Sequence, residues 1–178
     1  MTHPSVAVVV GSPEPASRTL TAATRLAESL AGTPDLVLDL VRLGPELLDE
    51  SSERVAGLVA WIGAADLVIV ASPTYKGAYT GLLKLFLDRF DRGTGLRGLA
   101  VPLMLGRGLE HSLTPELTLR PVLTELGATV PGRGLYVTEE DHDNQTAYDD
   151  WIAATGPIVS AFLERSSPAP AAAFALRD

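Results

Sequence analysis

The chain has 178 residues, with 22 acidic against 14 basic side chains and a formal charge of −8. Hydrophobic residues are 46% and charged ones 20%, which suits one domain with a real core rather than a disordered chain. A pI near 4.8 argues against a broad nucleic-acid surface or anionic membranes, and the lack of cysteine removes disulfides, thiol nucleophiles and thiolate metal sites together.

Ser5–Val10 is β-branched and uniformly apolar, as a parallel strand buried on both faces should be. The same run lacks the basic leader of a signal peptide, and no stretch reaches the ~18–20 apolar residues of a membrane span. A cytoplasmic protein with no nucleic-acid or membrane partner is the expectation. Arg18–Leu30 carries Leu20, Ala23, Ala27 and Leu30 at helical spacing, and Asp35–Leu40 reads as a second strand. A Gly/Pro/Ser-containing connection leads to a helix at Glu53–Ala64, followed by a third strand at Leu67–Ala71. A helix is expected over Gly81–Phe90, a strand over Leu99–Leu105 and a helix over Pro115–Leu126. Thr129–Val137 holds a fifth strand interrupted by Pro131, Gly132 and Gly134. Tyr148–Glu164 is the closing helix, with a kink or split expected at Gly156-Pro157. Residues 1–165 form the domain, and the Ser/Pro/Ala-rich tail Ser166–Asp178 is expected to be mobile.

Strands alternating with helices predict a doubly wound α/β fold, and five strands favour a flavodoxin-like parallel sheet in the order 2-1-3-4-5. Ligands of such sheets gather beyond the carboxyl ends of the strands. Three loops lie there.

The first runs Gly11-Ser12-Pro13-Glu14-Pro15-Ala16-Ser17-Arg18-Thr19. It joins hydroxyls and a guanidinium to the N–H groups of a helix start, a setting for an anion. It is neither a Walker loop nor a glycine triplet, and Ser17 as a plain helix cap explains it equally well. The second, Ser72–Gly81, is long and presents Tyr75 and Tyr79 beside turn amides, which suits a flat ring with polar edges. Tyr79 alone reads better as packing under the loop. The third, Gly106–Ser112, has glycines that allow close backbone approach, with His111 a ligand contact, a helix-start residue or simply an exposed side chain.

Two other patterns carry little. Gly93-Thr94-Gly95-Leu96-Arg97-Gly98 follows a helix and precedes a strand, the wrong context for a dinucleotide turn. Glu139-Glu140-Asp141-His142-Asp143 reads as a solvated acidic loop before it reads as a metal site.

Gly11-Ser12-Pro13 with Ser17-Arg18-Thr19, then Ser72-Pro73-Thr74-Tyr75-Lys76-Gly77-Ala78-Tyr79-Thr80-Gly81-Leu82-Leu83-Lys84, resemble the flavodoxin-like NAD(P)H-dependent FMN reductases. Val101–Gly106, His111 and Leu119–Leu123 are similar to the branch serving two-component flavin monooxygenases. The resemblance spans about Val6 to Val137. It implies that Ser12, Ser17, Arg18 and Thr19 hold the FMN phosphate. Pro73, Thr74, Tyr75 and Lys76 would line the isoalloxazine, with Gly106, Gly108 and His111 on its other side. Relatives often carry a basic residue where this chain has Glu14, and a small one where it has Arg107.

The implied reaction is hydride transfer from NAD(P)H to FMN, which the two cofactors perform between themselves. No catalytic acid or nucleophile is required, and no metal. Reduced FMN would pass to a monooxygenase. The alternatives are an FMN-retaining quinone or azo-type reductase and an electron-transfer flavodoxin-like protein.

Two expectations concern assembly and flavin handling. Leu82, Leu83, Leu85, Phe86, Leu87 and Phe90 exceed what one helix face needs, and with the resemblance they predict a homodimer or homotetramer. Some two-component relatives have an aromatic residue that widens the helix after the third loop. Leu117 stands there in this chain, so a regular helix and partial FMN retention are expected, with Pro121 as the one perturbing residue.

Overall fold

Five parallel strands form one sheet: β1 (Val6–Val10), β2 (Leu36–Asp39), β3 (Leu67–Pro73), β4 (Leu99–Gly106) and β5 (Leu135–Thr138). Their order is β2-β1-β3-β4-β5, the doubly wound arrangement expected. The computed structural model describes residues 3–165, so the tail Ser166–Asp178 lies outside the described residues.

The period-2 geometry of a strand explains why the runs are apolar throughout. Val6, Val8 and Val10 point to one face and pack with Leu26, Ala27, Tyr148 and Val159 of α1 (Arg18–Ala31) and α5 (Thr146–Leu163). Ala7 and Val9 point to the other, toward Leu58, Ile62, Leu83, Phe86 and Leu123 of α2 (Glu53–Ala64), α3 (Gly81–Leu87) and α4 (Arg120–Glu125). Burying each such Val, Leu, Ile or Phe side chain contributes about 1.5–3 kcal/mol, so both faces must be covered. The order reverses between β1 and β3, where the chain crosses from β2 over β1. That reversal opens a crevice at the carboxyl ends.

Hydroxyl caps begin three of the helices. Ser17 Oγ accepts from Leu20 N (3.3 Å), Ser52 Oγ from Val55 N (3.1 Å) and Thr80 Oγ1 from Leu83 N (3.1 Å). Each satisfies one of the amides a helix start leaves unpaired.

Several boundaries differ from expectation. The fifth strand covers only Leu135–Thr138, because Pro131 has no N–H and Gly132 adopts φ 66, turning the chain. Thr129 keeps only a lone bridge to Leu99. The helix α3 stops at Leu87, after which Arg89 and Phe90 bond back only three residues, to Phe86 and Leu87. Leu40–Leu48, expected as a connection, is two short 3₁₀ turns broken at Gly44. The closing helix is not split at Pro157: the proline and Ala153, whose carbonyl it cannot pair, both lie on the exposed side of the helix.

The expectation of a regular helix after the third loop is overturned. Pro115–Leu119 is a π segment, in which Arg120 N–H bonds back five residues to Pro115 O. Pro121 cannot donate to the Leu117 carbonyl, which removes the ordinary register just beyond the wide turn. Thr118 Oγ1 also takes the Thr114 carbonyl (2.8 Å), and Arg120 ties the segment to Glu116 Oε1 (2.9 Å) and Gly132 O (2.6 Å). An aromatic side chain is therefore not needed for the widening, and no regular helix is present here to favour FMN retention.

The apolar residues of α3 divide between the core and the surface, with Leu85 42% exposed and Leu82 partly buried. Leu83, Phe86, Leu87 and Phe90 are buried in the chain's own core, and Phe86 meets Phe90 edge-on at 5.4 Å. Leu109, Leu113 and Leu117, within and after the third loop, are exposed at 71%, 58% and 68%.

Candidate functional site

A cleft of about 650 Å³ opens at the carboxyl ends of β1, β3 and β4. Ser12, Ser17, Arg18, Thr19, Pro73, Thr74, Tyr75, Lys76, Gly106 and His111 all line it. Gly108 does not. Its carbonyl instead accepts from Tyr136 Oη (2.6 Å), which pins the third loop against β5.

The first loop is held from three sides. Gly11 N–H donates to Ala71 O (2.8 Å), and Gly11 O accepts from Thr80 Oγ1 (2.5 Å). Glycine is required at this position because a Cβ would collide with Leu83 Cβ in α3. Further along, Ala16 takes φ 51, a left-handed conformation costly for a residue with a side chain. Its N–H donates to the buried Asp39 carboxylate (3.2 Å), which holds the bend. The bend delivers Ser17 to the cap of α1, with Ser12 and Thr19 nearly buried behind it.

The second loop is a miniature hairpin. Tyr75 N–H donates to Ala78 O (2.8 Å) and Ala78 N–H to Tyr75 O (3.2 Å). Lys76 (φ 54) and Gly77 (φ 76) occupy its two-residue turn, both with the positive φ that a type I′ turn requires. Thr74 N–H donates to Leu105 O (2.6 Å), which joins this loop to β4. Tyr75 is left half exposed. A Cβ at Gly77 would lie 3.9 Å from His111 Cε1, so the second and third loops meet.

The sequence reading missed the cleft's carboxylates as a set. Glu14, Glu110 and Glu139 line it together with Arg18, Lys76 and Arg107. Three cations and three carboxylates thus share the lining. Arg18 Nη1 lies 3.3 Å from Glu139 Oε2, an ion pair between residues 121 apart in sequence. Burial first, then the charges of Glu110 and Glu139, pushes the Tyr136 phenol up, so it stays a neutral donor to Gly108 O. The acidic run after β5 is organised by hydrogen bonds: Asp141 accepts from Thr138 Oγ1 (2.6 Å) and Asn144 Nδ2 (3.2 Å). Among the described residues no group of three or more His, Asp or Glu side chains is arranged to hold a metal, and no helix is long and apolar enough to cross a membrane.

The donor set at the α1 end, with hydroxyls, helix N–H groups and one guanidinium, fits a phosphate. The Tyr75 hairpin and the Gly106 backbone at the other end fit the face and edge of a planar ring. Sheet order and cleft together define a flavodoxin-like α/β protein with a mononucleotide-sized site at its switch point.

A family model described as NADPH-dependent FMN reductase matches residues 4–143. The chain belongs to that family of oxidoreductases, which use FMN and NAD(P)H. It is 32% identical over 107 residues to "FMN reductase (NADPH)" of Pseudomonas aeruginosa PAO1, an alignment covering 60% of this chain and 56% of that one. It is 29% identical to "NADH-dependent FMN reductase SfnF" of Pseudomonas fluorescens Pf0-1, covering 85% and 84%. The apo crystal structure of the NADH:FMN oxidoreductase EMOB superposes with a TM-score of 0.77 at 28% identity, covering 94% of this chain and 92% of that one.

Proposed function

We propose that this chain reduces FMN at the expense of NAD(P)H, taking flavin as an exchanging substrate and supplying it reduced to a flavin-dependent monooxygenase. The observation that carries the reading is the convergence of three loops on one cleft with phosphate chemistry at one end and ring chemistry at the other. In this reading the hydroxyls of Ser12, Ser17 and Thr19, the first amides of α1 and the Arg18 guanidinium bind the phosphate. Pro73, Thr74, Tyr75 and Lys76 orient the ring on one side, and Gly106 and His111 border the other. Bound FMN supplies the hydride-accepting centre, and the chain contributes orientation and neutral or cationic donors.

Two features support exchange over retention. The cleft's charges balance, so little excess positive potential holds a dianionic phosphate. The π segment resembles the widened helix of relatives that exchange flavin. We also propose self-association through Leu109, Leu113 and Leu117, spaced four apart and exposed beside the third loop, with a second copy as the partner. A dimeric or tetrameric mass by light scattering that falls to the monomer in Leu113→Glu is the expected result.

The deciding experiment follows NAD(P)H oxidation by purified protein with and without added FMN. Oxidation that needs added FMN and saturates with it is expected. Full activity without added FMN, in yellow protein that reduces quinones, would assign the FMN-retaining alternative.

A further inference from the structure

We propose that Glu139 is a specificity-determining residue: its carboxylate competes with the flavin phosphate for Arg18 and holds down affinity for phosphorylated flavin. The proposal rests on the reading of the Ser12–Thr19 loop as the phosphate site.

The backbone of Glu139 is held at the mouth of the cleft. Its N–H donates to Gly106 O (2.8 Å) at the end of β4, and its own carbonyl lies 3.0 Å from His142 Nδ1. The backbone is therefore anchored on both sides, directly after β5. The side chain reaches into the cleft and meets Arg18 there, with relative exposures of 34% for Glu139 and 60% for Arg18. The same two residues also line a second, shallower cleft with Arg107, Glu140 and His142.

A phosphate that takes the Arg18 fork must break this pair and then sit near the released carboxylate. Both effects oppose binding, and neither acts on a flavin without phosphate. The Tyr136 phenol, pushed up first by burial, is raised further by the charges of Glu110 and Glu139. An exposed pair is weak, and screened repulsion over several ångströms is comparable, so together they amount to about three- to tenfold in affinity.

Glu139→Gln removes the charge while keeping the size and an amide oxygen for Arg18. Wild type and variant would be titrated with FMN and with riboflavin, by quenching of flavin fluorescence, at low and high ionic strength. The expected result is an FMN Kd about three- to tenfold lower in the variant and a riboflavin Kd changed less than about twofold, the FMN gain shrinking in high salt. A purely structural role would move both ligands together. An FMN affinity in the variant equal to wild type overturns the proposal while leaving the reductase reading intact. Weaker FMN binding also overturns it, because Glu139 would then be orienting Arg18 for the phosphate. Wild-type protein that binds riboflavin as tightly as FMN overturns both the proposal and the phosphate site beneath it.

Discussion

Replacing Gly11 by alanine puts a methyl group where α3 already stands. The new Cβ would collide with Leu83 Cβ and lie 3.1 Å from Leu83 Cα, whereas carbon atoms pack at about 3.5–4.0 Å. Rotation of the Leu83 side chain cannot relieve this, because both atoms are fixed by its backbone. The first loop or α3 must move, and both are tied. Gly11 is bonded to Ala71 O (2.8 Å) and Thr80 Oγ1 (2.5 Å), and Leu83 is fully buried. Overpacking of this kind costs about 1–3 kcal/mol, and the double tether puts it at the upper end. The stiffer unfolded chain of an alanine variant returns about 0.4–1 kcal/mol. The net loss is about 2 kcal/mol, or roughly 4–8 °C in Tm for a domain of this size. Thermal unfolding followed by circular dichroism reads that shift, and FMN titration should show weaker binding because the loop has moved. Leu83→Ala keeps its Cβ and should not rescue Gly11→Ala. Leu83→Gly should show favourable coupling with it in a double-mutant cycle. A Gly11→Ala protein with unchanged Tm and unchanged FMN affinity would refute the reasoning.

Arg18→Ala should weaken FMN binding by about 1.5–3 kcal/mol, roughly ten- to 150-fold, with riboflavin affinity little changed. Equal losses for both flavins in a fluorescence titration would remove Arg18 from the phosphate site. Thr80→Val deletes the donor to Gly11 O and the acceptor that caps α3, and should cost about 2–3 kcal/mol. A urea midpoint lowered at constant m-value checks it. The Asp141 carboxyl is held below its ordinary 3.8 by hydrogen bonds from Thr138 and then Asn144. Because the folded pKa is the lower one, its stabilisation is complete above 3.8 and is lost as pH falls through the folded value. Asp141→Asn should therefore lower Tm at neutral pH, with the gap to wild type closing in acid; a gap independent of pH would sink this assignment.

The layered fold was legible because parallel strands are buried on both faces. Runs such as Val6–Val10 and Leu67–Ala71 therefore admit no polar residue, and helical spacing marks what lies between. The hydroxyl before α1 was legible for the same kind of reason, since a helix cap demands a particular residue locally, whereas the close approach of Gly11 to Leu83 shows only in the packing. What lay beyond local rules was decided only by packing. Pro121 announces a missing donor, but the surrounding contacts of Thr118, Glu116 and Arg120 made the chain widen into a π turn instead of ending the helix. The leucines and phenylalanines of α3 look the same in sequence whether they face a partner or their own sheet, and the β1–β3 crossover put most of them against the sheet. Glu139 belongs, by composition, to an acidic surface run. Only the β4–β5 pairing, which carries the end of β5 to the mouth of the cleft, sets its carboxylate against an arginine 121 residues away.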